Sequence, residues 1–245
     1  MCIRDSDDAV ADFLRRRMMG DSANKALNDS IGKIDERIAL SEDWPGDKGR
    51  VEYVAMMHQA FELFVETYPD LVPASIQRDH VYMVRTLAGG QRKMIGYSDW
   101  IEPDGTIVDL KFTGSARWNA AGVWAEDWLT EKRDQVCTYY MGRLYAERVG
   151  TPDPTSPVIP RGKIVVVCAS MYRKNPVVKE HTFTFDDELV AELADAVRDA
   201  DNVAVSEYHE PRPGEACRWC SYTDRCKNDS RRFAPLTREL AMVPN

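Results

Sequence analysis

The segment GYSDWIEPDGTIVDLKF, residues 96–112, contains two short apolar stretches separated by EPDG, a pattern typical of a β-hairpin. If residues 103–105 form a three-residue loop, Gly105 supplies its left-handed conformation and Glu102 pairs with Thr106. The hairpin register is then fixed, and with it the face on which each charged side chain lies.

Three charged residues of this hairpin are predicted to converge. Counting outward from the loop places Asp99 directly opposite Asp109, with Cβ atoms about 4.5–5.5 Å apart. Lys111 lies two residues after Asp109 and faces the same side of the sheet. Two adjacent carboxylates repel each other unless a divalent cation bridges them, and oxygen ligands favour Mg²⁺ or Mn²⁺. The alternative is a set of exposed charges in which Lys111 neutralises Asp109.

The composition suits one globular domain, with or without a small appendage. The chain has 245 residues, of which 44% are hydrophobic and 29% charged, and a formal net charge of −8. We expect a cytoplasmic protein, because no apolar run predicts a transmembrane helix and MCIRDSDDAV lacks the apolar region of a secretory signal. The acidic total argues against non-specific coating of nucleic acid but allows a local basic groove.

The periodicity along the chain predicts mixed α/β structure. Predicted helices cover residues 7–41, 50–68, 126–148 and 186–200. Predicted strands cover residues 74–86, 94–101, 106–112, 161–172 and 177–185. This order lacks the strict alternation of a doubly wound nucleotide-binding fold and predicts a largely antiparallel start.

Four motifs resemble those of the PD-(D/E)XK nuclease superfamily. GYSD (96–99) and IVDLK (107–111) resemble its two central motifs, and QVCTY (135–139) is similar to the Q-x-x-x-Y motif of its RecB-like exonuclease branch. CRWCSYTDRC (217–226) resembles the cysteine triplet of members that hold a 4Fe–4S cluster. The resemblance extends from about Ile76 to Cys226.

The resemblance implies an α/β fold with a restriction-endonuclease-like core, in which helices flank a mixed central sheet, followed by a C-terminal cysteine segment. We divide the chain into a helical N-terminal remnant (1–48), a nuclease core (49–212), a cysteine cluster segment (213–230) and a tail (231–245). Residues 1–6 resemble an artefactual N-terminus, so we expect the chain to be truncated at that end.

The resemblance also implies the roles of the hairpin residues. Asp99 and Asp109 would hold the metal together with the backbone carbonyl of Leu110, and Lys111 would be the catalytic lysine. RecB-like members carry a further histidine ligand on an upstream helix. His58 is the upstream helical histidine of this chain, although it lies later in the sequence than expected.

The Q-x-x-x-Y motif places two more residues near the site. Gln135 and Tyr139 lie one helical turn apart, on the face that would position DNA or support the hairpin. The alternative is a surface glutamine and a core tyrosine.

The C-terminal cysteines need a fourth ligand if they hold a cluster. Cys217, Cys220 and Cys226 are the implied iron ligands, and Cys2 is the upstream candidate for the fourth. A zinc site completed by His209 and a set of unliganded thiols are the alternatives. Either metal would clamp the C-terminal segment to the fold.

Several other side chains are expected to be structural. Cys137 and Cys168 lie in apolar surroundings, and Asp79 and His80 lie on the first predicted strand. Core packing is favoured over base stacking for three tryptophans, Trp118, Trp124 and Trp128.

The sequence thus predicts a Mg²⁺- or Mn²⁺-dependent DNA exonuclease, bacterial or phage-encoded, acting in DNA repair, recombination or phage DNA processing. DNA is the expected partner, a helicase or recombination protein is a second candidate, and no membrane is expected. One alternative is a non-catalytic DNA-binding or scaffolding module with a decayed site. Another is the nuclease domain of a larger helicase–nuclease, whose motor would lie outside these residues because they contain no Walker-type motif.

Overall fold

The computed structural model of the chain describes residues 4–40, 47–85, 91–113, 117–119, 122–169 and 176–205. The helices are α1 (Arg4–Met18), α2 (Ala23–Leu40), α3 (Asp47–Thr67), α4 (Glu126–Arg148) and α5 (Asp187–Val205). The strands are β1 (Ser75–Arg85), β2 (Gln91–Ile101), β3 (Ile107–Thr113), β4 (Arg161–Cys168) and β5 (Val177–Thr184).

The five strands form one mixed sheet in the order β1-β2-β3-β4-β5. The β1–β2, β2–β3 and β4–β5 pairs are antiparallel, which confirms the predicted antiparallel start, whereas β3 and β4 are parallel. Helix α4 connects the parallel pair, because parallel strands need a crossover connection. The predicted α/β class, with a mixed sheet flanked by helices as in a restriction-endonuclease-like core, is confirmed.

Strand β4 separates two hydrophobic cores because its side chains alternate between the two sheet faces. Val165 and Val167 belong to the core shared with α1, α2 and α3. Ile164 and Val166 belong to the core shared with α4 and α5. Both faces are covered, which explains the continuous apolar run of this strand.

The helix predicted over residues 7–41 is interrupted at Gly20, which has a φ of +93° and separates α1 from α2. Helix α1 nevertheless packs into the main core: the Phe13 ring lies 6.0 Å from Phe61 and 6.3 Å from Phe64 between centroids. Phe64 in turn lies 6.1 Å from Trp100 of β2. None of the described helices is long and apolar enough to cross a membrane.

Candidate active site

The loop between β2 and β3 has the predicted geometry. The Glu102 N–H donates to the Thr106 carbonyl at 2.9 Å, and Gly105 has a φ of +94°. A Cβ atom at Gly105 would also lie 2.2 Å from the Pro157 carbonyl oxygen. Glycine is therefore required at this position by both the backbone conformation and the lack of space.

The hairpin register brings the two aspartates together. Trp100 lies opposite Val108, so the next pair in the same register is Asp99 and Asp109. Asp99 Oδ2 accepts a hydrogen bond of 2.5 Å from the Leu110 backbone N–H. This hydrogen bond holds the Asp99 carboxylate of β2 against β3, at the residue next to Asp109.

The buried Asp109 forms an ion pair with the partly exposed Lys111. Asp109 is 2% exposed, and Lys111 Nζ lies 3.0 Å from its Oδ1 and 2.9 Å from its Oδ2. Oδ2 forms this ion-pair contact but accepts no hydrogen bond from the residues that the structure describes. Burial raises the pKa of the Asp109 carboxyl even though Lys111 opposes the shift. Burial would lower the pKa of Lys111, but the charge of Asp109 outweighs it and raises that pKa. The positive charges of Lys111 and Lys132 therefore compensate the burial of this carboxylate only in part.

Helix α4 contributes Gln135 and Tyr139 to the same site. Gln135 Nε2 donates to Tyr139 Oη at 2.7 Å and lies 3.3 Å from Asp109 Oδ1. Tyr139 is 7% exposed, and burial raises the pKa of its phenol. The amide of Gln135 thus connects the buried tyrosine to the carboxylate.

Sequence reasoning missed the contribution of His80 to this arrangement. The His80 ring stacks on Tyr139, with 5.4 Å between centroids and 22° between planes, and its Nε2 lies 2.7 Å from Ser98 Oγ. The ring is 4% exposed, and burial together with the charges of Arg143 and Arg78 lowers the pKa of His80 to about 4. His80 supports the tyrosine from the strand side.

Two glycines make this close approach of α4 to the sheet possible. A Cβ atom at Gly96 would lie 2.5 Å from Tyr139 Cε1, and one at Gly142 would lie 2.8 Å from the Cβ atom of His80. The glycine of the GYSD motif is therefore explained by a packing requirement. This glycine was the feature of the sequence that could have indicated a close contact at β2. The sequence did not indicate that Tyr139 makes that contact.

The alternation of side chains in β2 is interrupted at Asp99. Gly96 and Ser98 contact the α4 side through Tyr139 and His80, whereas Trp100 packs in the opposite core. A regular strand would place Ser98 and Trp100 on the same face. In the β1–β2 register, Gln77 occupies the position opposite Asp99. Gln77 has a φ of +46°. The irregularity thus occurs where the strand presents the aspartate.

Comparison with known protein families decides the assignment. The profile of the PD-(D/E)XK nuclease superfamily matches residues 8–227. The chain belongs to the PD-(D/E)XK nuclease superfamily. This confirms the predicted superfamily, whose membership implies nuclease activity on DNA and, in general, the use of Mg²⁺ or Mn²⁺.

Two solved structures are similar to this PD-(D/E)XK protein at low identity. The crystal structure of SSO0001 is 13% identical with a TM-score of 0.37, covering 73% of this chain and 69% of that one. A candidate exonuclease from Eubacterium rectale is 11% identical with a TM-score of 0.38, covering 80% of this chain and 75% of that one. No curated protein gives a significant match.

The donor set of this PD-(D/E)XK site fits a hard divalent cation. Among the residues that the structure describes, no group of three or more His, Cys, Asp or Glu side chains could hold a metal ion. Asp99 and Asp109 supply two carboxylates, which is sufficient for Mg²⁺ when water and phosphate complete the coordination. The buried Asp109 Oδ2, which has no hydrogen-bond donor among the described residues, is an acceptor suited to such an ion.

The other predicted ligands of the superfamily are not brought to this site within the described residues. His58 lies on α3, and its Nε2 contacts Asp35 Oδ1 at 2.9 Å. Cys137 and Cys168 are buried core residues as predicted, and burial raises the pKa of the Cys137 thiol to about 12. The remaining candidates lie outside the described residues: Cys2, His209, Cys217, Cys220 and Cys226.

Proposed function

We propose that the chain is a metal-dependent deoxyribonuclease that hydrolyses phosphodiester bonds at the Asp99–Asp109–Lys111 site. The observation that supports this most strongly is the buried Asp109 carboxylate, held between Lys111 and Gln135, with one oxygen that accepts no hydrogen bond within the described part of the chain. A structural ion pair needs no second carboxylate in register with it. A phosphoryl-transfer site does, because it must hold a cation.

Each residue has a distinct role in this proposal. Asp99 and Asp109, with the backbone carbonyl of Leu110, would hold Mg²⁺ or Mn²⁺. When bound, that ion supplies positive charge for the phosphate and lowers the pKa of water. Lys111, whose side chain is 33% exposed, donates to a phosphate oxygen or orients the attacking water.

The helix residues act by positioning. The Gln135 amide fixes the orientation of the Asp109 carboxylate and is itself fixed by the Tyr139 hydroxyl. This pairing supports the finer proposal of a RecB-like exonuclease, because the Q-x-x-x-Y motif is the feature by which the chain resembles that branch. Repair, recombination and phage DNA processing are the pathways proposed for it.

A non-catalytic DNA-binding module is the second candidate. The contact of His58 with Asp35 favours it, since RecB-like nucleases use an upstream histidine at the metal and this histidine has another partner. A decayed site would keep the fold and the DNA surface while losing turnover.

Cleavage of end-labelled single- and double-stranded DNA with Mn²⁺ tests the proposal. We expect degradation by the wild type and its loss, by at least about 100-fold, in Asp109→Asn. Asp104→Asn is the matched control, because Asp104 lies in the same hairpin but pairs with Arg161 at the surface. Unchanged cleavage in Asp109→Asn would contradict the proposal. Metal-independent DNA binding without cleavage by the wild type would favour the second candidate.

A further inference from the structure

A short segment between β3 and α4 folds back on itself. We call the described residues 117–119 and 122–125 the tryptophan tongue. Two backbone hydrogen bonds of 2.8 Å and a bridge between Trp118 and Trp124 hold its arms together, and Gly122 has a φ of +81°. The tongue begins just beyond the strand that carries Lys111.

Three tryptophans form a cluster on the tongue and the start of α4. The Trp118 and Trp124 rings meet edge-on at 4.9 Å, and Trp124 and Trp128 stack at 5.7 Å with 6° between planes. All three are only partly buried, and Val123 on the tongue is 61% exposed. We call these three tryptophans the aromatic platform.

Two lysines accompany the platform. Lys179 Nζ lies 5.0 Å from the Trp118 centroid and 5.6 Å from that of Trp124, and Lys132 Nζ lies 6.0 Å from Trp128. Such distances are those of cation–π contacts. The surface therefore combines aromatic rings with lysine ammonium groups and is suited to a ligand that is both aromatic and anionic.

The sheet places the platform on the face of the candidate active site. Across the sheet, one β4 residue lies directly between Asp109 of β3 and His181 of β5. Another β4 residue lies in the same way between Lys111 of β3 and Lys179 of β5. Residues directly opposite each other share a face, and two strand spacings separate β3 from β5 by about 10 Å. Lys179 beneath the platform is therefore about 10 Å from Lys111 in the strand framework.

Helix α4 connects the platform to the site as well. Lys132 and Trp128 lie three and seven residues before Gln135, a spacing that puts them on the same side of the helix. Gln135 contacts Asp109. A strand of DNA that crosses the site would therefore meet the platform within a few nucleotides, since about 10 Å separates Lys179 from Lys111 in the strand framework.

We propose that the aromatic platform binds the bases of an unpaired DNA strand next to the cleavage site. This inference rests on the proposed function and specifies its substrate as single-stranded DNA or a frayed duplex end. Base pairs in a duplex keep their faces stacked inside the helix, whereas unpaired bases stack on aromatic rings, at about 1–3 kcal/mol for each base. Lys179 provides positive charge for the phosphates, whereas Lys132 is already paired with Glu131 at 2.5 Å.

Equilibrium binding without cleavage tests this inference. The assay uses Asp109→Asn protein in EDTA and measures the anisotropy of fluorescein-labelled oligo-dT of about 20 nucleotides and of a blunt duplex. Adding Trp124→Ala is expected to weaken oligo-dT binding about 10-fold or more, with duplex binding changed less than about 2-fold. Tyr97→Ala is the matched control, since Tyr97 is an aromatic residue of β2 that is 59% exposed.

A second variant covers the case in which Trp124→Ala does not fold. Lys179→Gln keeps a donor for the Gly122 carbonyl, which Lys179 Nζ contacts at 2.9 Å, but removes the charge. It is expected to weaken oligo-dT binding and to reduce the salt dependence of log K by about 0.7. Trp124→Ala that folds and binds oligo-dT normally, Lys179→Gln with an unchanged salt dependence, or equal losses for oligo-dT and duplex would each overturn the inference.

The inference and the proposed function fail in different assays. Platform-dependent binding of oligo-dT by a wild type that cleaves nothing would refute catalysis and leave the strand-binding surface standing. Normal cleavage by the wild type, with oligo-dT affinity unaltered in Trp124→Ala, would refute the platform alone. In that case the tryptophans serve only to pack α4 against the sheet.

Discussion

The ring of Tyr139 lies directly on the backbone of Gly96: a Cβ atom at position 96 would sit 2.5 Å from Cε1 and 2.7 Å from Cδ1 of that ring. Gly96 begins the GYSD motif and Tyr139 ends the QVCTY motif, so two motifs far apart in sequence are in contact. The close approach of α4 to β2 brings Gln135 within reach of Asp109.

Gly96→Ala is therefore expected to destabilise the protein by about 2 kcal/mol, because the buried ring of Tyr139 must move. Urea denaturation followed by circular dichroism measures the change. The loss should shrink when Tyr139→Leu is present in the same chain, since the smaller side chain relieves the overlap. Additive losses in the double variant would contradict the proposed clash.

Gly32→Ala serves as the matched control for that experiment. Gly32 lies in α2, and a Cβ atom there would meet nothing within 4 Å. Alanine in a helix interior is favoured over glycine by about 0.5–1 kcal/mol, so this variant should be more stable than the wild type.

The sequence contained enough information for the hairpin but not for its surroundings. The three-residue loop and the register of Asp99 with Asp109 follow from local turn chemistry, which acts over a few residues. The pairing of Gln135 with Tyr139 follows from helix geometry in the same way. Each of these features depends on residues close together in the chain.

Contacts between distant elements could not be obtained in this way. Nothing in the sequence around His80 indicates that its ring stacks on Tyr139, because the contact depends on how α4 crosses β1. The position of Lys179 on the same face as Lys111 depends on the parallel pairing of β3 with β4, which no local pattern fixes. The irregularity at Gln77, where a non-glycine residue has a positive φ, is likewise a product of tertiary packing.

Stability should fall as the pH falls below neutrality, through His80. Burial lowers the pKa of His80 to about 4, with Arg143 and Arg78 adding to the shift and Asp153 opposing it. In the unfolded chain the imidazole titrates near its ordinary value of about 6.5, so between these two pH values the unfolded state binds the extra proton. The loss begins below about pH 6.5 and reaches about 3 kcal/mol near pH 4.

His80→Gln isolates this contribution from that of the carboxylates. The variant is expected to be less stable than the wild type at pH 7, because it loses the stacking contact with Tyr139. Its stability should nevertheless decline less steeply between pH 6.5 and 4.5, as measured by urea midpoints at each pH. Parallel pH profiles for the two proteins would show that His80 does not titrate as the structure indicates.

Arg143 anchors the β2–β3 hairpin through its buried guanidinium. Nη1 donates to the Gly105 carbonyl at 3.0 Å, and Nη2 donates to the carbonyl and hydroxyl oxygens of Ser156, each at 3.0 Å. Arg143→Met leaves these acceptors without partners and is expected to lower the free energy of unfolding by about 3 kcal/mol.

Lysine should not restore this anchor, because its ammonium cannot span three acceptors as the planar guanidinium does. We therefore expect Arg143→Lys to be destabilised nearly as much as Arg143→Met in urea denaturation. Arg148→Met, on the exposed last turn of the same helix, should change stability by less than about 0.5 kcal/mol. A wild-type midpoint for Arg143→Lys would contradict the bidentate anchoring.

Lys111→Met should separate metal binding from catalysis. The ammonium of Lys111 lies 2.9 Å from Asp109 Oδ2 and repels any second cation at the carboxylates. Its removal is expected to tighten Mn²⁺ binding by at least about 10-fold in isothermal titration calorimetry. Cleavage of labelled DNA should fall at least about 100-fold in the same variant, because it removes the proposed donor to the phosphate or the water.

Lys163→Met is the control for these opposite changes. Lys163 lies on the neighbouring strand β4 and pairs with Glu102 at 2.8 Å. Like Lys111→Met, this substitution removes a partly buried lysine from the sheet. Its register partner is Val108, whose side chain packs in the opposite core from the Asp109 site. Mn²⁺ affinity should therefore stay within about 2-fold of the wild type. Equal Mn²⁺ affinity in Lys111→Met and Lys163→Met would show that Lys111 does not compete with the metal for Asp109.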